Sequence, residues 1–263
     1  LNGLTNVLSR EKQFDRAHQK LNRAIEASAA QTAVLPALHF LNAKVFTAEK
    51  NAEAAEAELK KAIEIDADYL PAYSAYATIL AERNQTAEAV EQYKKVVERK
   101  PSAAVYTLIG MLEEARGNRT EAENNYRRAL EIAPETAIAA NNLAWLLAAN
   151  GGNLDEALTL AHAAVERNQT VAGYYDTLGW IYYKRDAPAP AVELLKKAVA
   201  LDQIEAIKNG GAANSAYRVR LAMALASAGD KPSARKEAEV SLQNSRGLSE
   251  NEMRDARNLL ANL

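Results

Sequence analysis

An all-α array of stacked helical hairpins is the fold class this sequence predicts, and three observations carry it. The first is a period. Alanines that open similar helical runs stand at Ala17, Ala55, Ala89, Ala122, Ala157, Ala191 and Ala234, at intervals of 38, 34, 33, 35, 34 and 43 residues. A spacing near 34 gives one helical hairpin per repeat, and a hairpin of that size buries its apolar stripe only when a neighbour stacks on it. The second is composition: 11 glycines and 7 prolines among 263 residues leave few breakers, and Ala, Leu, Glu and Lys dominate, the vocabulary of helix. The third is an internal echo. Within 141–198, Leu143-Ala144-Trp145 returns as Leu178-Gly179-Trp180, and Glu156-Ala157-Leu158 as Pro190-Ala191-Val192.

Taken in order, the phase divides the chain as follows. Residues 1–29 form a partial repeat, with Leu4, Thr5, Leu8, Ala17, Leu21 and Ala24 in register but no length for a full first helix. The chain opens at Leu1 rather than Met, so a fragment or processed form with further repeats upstream is expected. Hairpins follow at 36–67, 70–101, 103–134, 137–170 and 172–203. One extra residue fits at Asn150-Gly151-Gly152-Asn153, where glycines permit the turn. An irregular insertion, 204–214, contains Asn209-Gly210-Gly211 and reads as a loop or as a longer helix end followed by a break. The pattern resumes at 215–246 with Leu221, Ala222, Leu225, Gly229, Ala234 and Ala238. A capping helix closes the chain at 249–262, with Ser249 and Glu252 spaced as a capping box. Thr120 and Glu123 have the same spacing. Pro188 and Pro190 suit a helix start. Small residues at Ala77, Gly110, Ala144 and Gly179, facing Ala89, Ala122, Ala157 and Ala191, permit close helix approach.

These residues resemble the tetratricopeptide repeat (TPR) pattern. Tyr73, Tyr76, Ala77, Leu80, Ala89, Tyr93, Val96 and Pro101 fit one repeat, and Tyr106, Ile109, Gly110, Ala122, Tyr126, Ala129 and Pro134 the next, with Glu113 in place of a large residue. Leu143, Ala144, Leu147, Ala157 and Ala164, then Tyr175, Leu178, Gly179, Tyr182, Ala191, Leu195 and Ala198, carry it onward. The resemblance implies an all-α, right-handed α-α superhelix of about seven stacked TPR hairpins with a C-terminal capping helix, a single solenoid over 1–263.

It also implies a concave groove lined by the first helix of each hairpin. The positions that face it are Lys44, Thr78, Met111, Trp145, Trp180 and Met223, flanked by Phe40, Ser74, Glu82, Thr107, Asn141, Asn142, Asp176, Tyr183, Lys184 and Arg220. Two indoles and two thioethers on one stripe suit a partner segment, since such side chains offer large apolar area with little rotamer cost. The plainer reading is that Trp145 and Trp180 only pack against neighbouring helices. A carboxylate clamp of the kind one TPR subclass uses is not expected. Asn142 and Arg220 sit at the relevant helix position, but the companion lysines are missing.

No enzyme, metal or cofactor site is expected. His18, His39 and His162 fall in three different repeats without metal-ligand spacing, His39 as a half-buried packing residue and the other two on the surface. Glu113, Glu114, Asp155 and Glu156 read as surface or first-turn acids. Gly151-Gly152 and Gly210-Gly211 lack the strand and lysine of a phosphate loop. The triplets beginning at Asn84, Asn118 and Asn168 read as turn and cap chemistry rather than glycosylation sites. The absence of cysteine removes disulfides and thiolate sites, and 32 basic against 34 acidic residues leave no field for nucleic acid. No stretch approaches the roughly 18 apolar residues of a membrane span.

The function expected is a non-catalytic scaffold that binds a protein or peptide partner, self-association remaining open. Around the tryptophans the wording NNLAWLLA and DTLGWIYYK is similar to bacterial TPR proteins of exopolysaccharide and envelope systems, the exosortase-associated lipoproteins among them. That resemblance implies a periplasmic or envelope-associated parent in an export assembly; without it a cytoplasmic location stands. The alternatives are a cytosolic adaptor or oligomerisation module, and a carbohydrate-binding segment that uses Trp145 and Trp180 as stacking platforms.

Overall fold

The computed structural model describes residues 2–29, 33–66, 69–83, 85–209, 212–245 and 248–263. Among them the regular structure is fifteen helices and no strand. The chain divides into two compact units, Leu1–Ile132 and Ala133–Leu263.

The first unit holds α1 (Asn2–Arg10), α2 (Phe14–Ala27), α3 (Leu35–Ala48), α4 (Ala52–Ile65), α5 (Leu70–Glu82), α6 (Thr86–Arg99), α7 (Ala103–Ala115) and α8 (Arg119–Ile132). Each helix packs on the next in sequence, and the first helices of successive hairpins, α1, α3, α5 and α7, pack side by side. The second unit repeats this with α9 (Ala137–Ala149), α10 (Leu154–Arg167), α11 (Ala172–Lys184), α12 (Pro188–Asn209), α13 (Ser215–Ser227), α14 (Lys231–Gln243) and α15 (Glu250–Asn262). Here α9, α11, α13 and α15 form the row of first helices.

The small residues of the pattern sit where helices touch. Ala55, Ala89, Ala122, Ala157, Ala191 and Ala234 are fully or almost fully buried. A Cβ on Gly110 would lie 2.5 Å from Cε1 of Tyr126, and one on Gly179 would lie 2.7 Å from Cγ of Leu195. Those distances are far inside van der Waals contact, so glycine alone lets α7 meet α8 and α11 meet α12 this closely.

Six of the hairpin turns among the described residues are built one way. A left-handed residue follows the first helix at Lys12, Lys50, Gly117, Gly151, Asp186 and Gly229. Paired backbone bonds close the helix end, as where Asp186 N–H donates to Tyr183 O and Ala187 N–H to Tyr182 O. This is the Schellman arrangement, which satisfies carbonyls that the helix leaves open. After Lys50 and Gly229 the next residue also caps the following helix: Asn51 accepts from Ala54 N–H and Asp230 from Ser233 N–H. Between α9 and α10 the additional residue Gly152 separates the two jobs, and Asn153 caps α10 by accepting from Asp155 and Glu156 N–H.

Several expectations are corrected. Thr120 is no N-cap, because the turn at Gly117 lets α8 begin at Arg119, and Glu123 pairs with Arg127 instead. Glu113 is no surface acid. It is buried and accepts hydrogen bonds from Arg116 and Asn118. His18 is part-buried rather than on the surface, stacked on Phe46 with ring centroids 3.9 Å apart. Of the two readings of 204–214, the helical one holds through Asn209, where α12 ends; Gly210-Gly211 lie outside the described residues, as do Asn84 and the Leu4 side chain. The capping box of α15 forms as spaced.

Candidate functional site

In the second unit the row α9, α11, α13 and α15 encloses an open hollow of about 300 Å³ lined by Trp145, Ala149, Trp180, Lys184, Val219, Arg220, Met223, Ser249, Glu252 and Asp255. Five of the groove residues named from the sequence thus meet in one place: Trp145, Trp180, Lys184, Arg220 and Met223. The equivalent placement of Trp145 and Trp180 on adjacent first helices brings their rings to 6.5 Å, tilted by 34°. Tyr183, one helical turn beyond Trp180, stacks on that indole at 5.0 Å. Lys184 Nζ lies 4.8 Å from the Trp180 ring centroid, and the Arg220 guanidinium 5.1 Å from that of Trp145. Both geometries suit cation–π attraction.

Arg220 organises the floor. From α13 it donates through Nε to Asp176 on α11 and through Nη1 to Glu252 on α15, each at 2.8 Å. Burial raises the Asp176 carboxyl above its ordinary range, and the Arg220 charge opposes this without cancelling it. Burial also works against the guanidinium, but the two carboxylates keep it charged and shift its titration upward. For Glu252, burial is outweighed by the amide and hydroxyl of Ser249 and by Arg220, so its carboxyl is held below the ordinary glutamate range. A buried charge removed from such a pair is costly, because the survivor stays desolvated.

The structure separates the remaining candidates. Asp176 is 4% exposed, so it supports the hollow from beneath instead of facing it; the arginine that covers it lies 44 residues away in sequence. Asn141 and Asn142 are half-buried beside each other, with Asn141 Nδ2 donating to Asn142 Oδ1 at 3.3 Å. In the first unit Thr78, Met111 and Ser74 line a separate apolar hollow of about 180 Å³ with Ala77, Tyr93, Leu108 and Leu112. Lys44 lines another, of about 350 Å³, with Thr5, Asn6, Ser9, Leu41, Val45 and Ala48. Phe40 lines neither. It packs on the core and meets Tyr69 edge-on at 5.9 Å. Glu82 is exposed, whereas Thr107 is buried, its hydroxyl donating to Ala103 O.

The sequence reading missed the α15 wall, Ser249, Glu252 and Asp255. The capping box marked two of these residues, but as a helix start alone. That α15 occupies the place of a further first helix is a matter of packing on α13 and α14.

Hairpins whose first helices stand side by side within each unit define a helical-repeat scaffold. The chain belongs to the tetratricopeptide repeat family, whose models match residues 46–112, 107–172 and 171–201. That membership supports the binding of other proteins as its class of function. No curated protein matches its sequence. Among solved structures, the fold resembles that in the APC/C hetero-tetramer Cut9-Hcn1 at a TM-score of 0.71 and 15% identity, over 98% of this chain and 47% of that one. It also resembles PilF of Pseudomonas aeruginosa at 0.68 and 16%, over 88% and 99%. A tetratricopeptide repeat protein of Parabacteroides merdae matches at 0.63 and 15%, over 98% and 96%. The chain thus spans about half the length of the first of these and nearly all of the other two.

Proposed function

We propose that the chain is a non-catalytic scaffold that holds a segment of a partner protein against the row of first helices, with the Trp145–Trp180 hollow of the second unit as its anchor. One observation carries the reading. Two indoles, Met223 and two cations border a single open hollow instead of being scattered over the surface, and such concentrations of aromatic and arginine side chains carry most of the energy at interfaces. The wording around the two tryptophans supports placement of the parent in a bacterial envelope or polysaccharide export assembly.

The sugar-stacking alternative is less well served by this geometry. Tyr183 and Lys184 both lie over Trp180, and Arg220 lies over Trp145, so ring area that a pyranose would need is already in use.

A photocrosslinking residue at Met223, introduced into the native host, should yield a discrete adduct with one protein. Trp145→Ala combined with Trp180→Ala should weaken that adduct at least about tenfold, the scale of a lost hot spot. An adduct of undiminished strength, or quenching of tryptophan fluorescence by glycans and not by the crosslinked partner, would sink the proposal. Cell fractionation with the partner identified tests the envelope placement.

A further inference from the structure

The turn between α9 and α10 holds a reactive pair of residues that partner binding does not use. Asn150 ends α9 with φ −99° and ψ 7°, and Gly151 follows with a φ of 69°. Both are exposed. The other left-handed residues at hairpin turns, Lys12, Lys50, Gly117, Asp186 and Gly229, are preceded by Glu11, Glu49, Arg116, Arg185 and Ala228. Among these six turns, only the one after α9 sets a carboxamide directly before a left-handed glycine.

The backbone is also less tied here. In the other five turns the left-handed residue donates its N–H three residues back: Lys12 to Ser9 O, Lys50 to Thr47 O, Gly117 to Glu114 O, Asp186 to Tyr183 O and Gly229 to Ala226 O. At the end of α9, Asn150 N–H donates to Leu146 O at 3.2 Å and Gly152 N–H to Leu147 O at 2.8 Å, whereas Gly151 N–H between them makes no hydrogen bond. The Asn150 carboxamide makes none either. Other turn asparagines are occupied. Asn153 caps α10 through Asp155 and Glu156 N–H, Asn168 accepts from the amide and hydroxyl of Thr170, and Asn118 donates to Glu113. Even a Cβ built on Gly151 would meet nothing within 4 Å, so the space over the peptide nitrogen is open. Glycine there also lets the main chain swing. The rotation of Asn150 ψ that brings Gly151 N onto the side chain gives up the Gly152–Leu147 bond and no bond of Gly151 itself.

We propose that Asn150-Gly151 is a site of self-modification by deamidation, with water as the co-reactant. The Gly151 nitrogen attacks Cγ of Asn150. An N–Cγ bond forms, the Cγ–Nδ2 bond breaks, and Nδ2 leaves as ammonia with the proton that the peptide nitrogen gives up. The product is a five-membered succinimide. Water then adds to one of its two carbonyls and opens the ring, to aspartate or to isoaspartate, with no change of oxidation state. Either product stands beside the hollow of the second unit, because Ala149 lines it. The new carboxylate sits at the C-terminal end of α9, where the helix dipole disfavours negative charge. Isoaspartate in addition inserts a methylene into the main chain between α9 and α10. The modified chain therefore holds the α9 wall less firmly.

Incubation of the folded full chain at mildly alkaline pH, followed by site-resolved mass mapping and enzymatic methylation of isoaspartate, tests this without any partner. Position 150 should gain about 1 Da, as amide becomes acid, and should accept methyl groups, while Asn118, Asn153 and Asn168 stay unmodified. Mapping by site keeps this signal apart from Asn209-Gly210, where the same dipeptide recurs. Gly151→Ala, which leaves the asparagine in place, should suppress the reaction. If that variant fails to fold, the wild-type map decides alone. An Asn150 that stays intact, or that reacts no faster than Asn118, Asn153 and Asn168, overturns the site. In the modified form, resolved by ion exchange, amides of the last turn of α9 should exchange faster than in the unmodified form; equal exchange would overturn the loosening of the wall.

Discussion

Asp186 has a positive φ of 56° at the end of α11, a conformation that costs most L-residues about 1 to 2 kcal/mol. Gly117 and Gly229 meet the same demand in their own hairpins without a Cβ. Asp186→Gly should therefore raise stability by about 0.5 to 1 kcal/mol, since relief of the left-handed strain exceeds the added backbone entropy. The denaturant midpoint checks this, and an unchanged or lower midpoint would mean that Asp186 makes a compensating contact. At this scale the alternation of small and large residues was readable, because Gly110, Gly179 and the alanines stand opposite specific bulky partners. Charge was harder to read. In sequence Glu113 reads as a surface acid and Asp176 as a groove-facing one, and only the placement of Arg116 and Arg220 shows why burial is tolerated.

At the scale of the element, hairpin positions were legible because a period near 34 follows from packing that every repeat must satisfy. The terminal helix was legible from its cap but not from its destination. Glu252 serves two masters there: its carboxylate accepts from Ser249 N–H at 2.9 Å and also holds Arg220. Because the folded carboxyl is held below the ordinary range, its contribution is complete above the usual glutamate titration and disappears as pH falls through the lowered value. The attachment of α15 to α13 should consequently loosen at acid pH, below the ordinary glutamate range, before the hairpins themselves open. Exchange of α15 amides should show this loosening in wild type. In Glu252→Gln, α15 should already exchange faster at neutral pH and respond little to acid; an identical acid response in both proteins would refute the assignment.

At the scale of the whole molecule, the repeat class was written in the sequence throughout, but the grouping of groove residues was not. A regular stripe predicts equivalent positions. Instead Thr78 and Met111 line an apolar slot, Lys44 borders one of mixed polar and apolar lining, and the two tryptophans gather around Arg220. Those differences arise from side chains that neighbouring helices supply, which no single-repeat pattern specifies.

Arg220 has one more effect, on the order in which the chain comes apart. Repeat arrays ordinarily couple only adjacent hairpins, so they can fray one repeat at a time from an end. The Arg220 side chain ignores that rule: from α13 it reaches Trp145 two hairpins back on α9, Asp176 between them and Glu252 ahead. Loss of α15 or α13 therefore exposes the surroundings of α9 as well, and 133–263 should open as one cooperative block. Arg220→Met should cost about 3 to 5 kcal/mol, leaving Asp176 buried without its counter-charge. It should also split the single unfolding step of these helices into a staggered sequence, seen as distinct exchange rates for α15, α13 and α9 where wild type shows one.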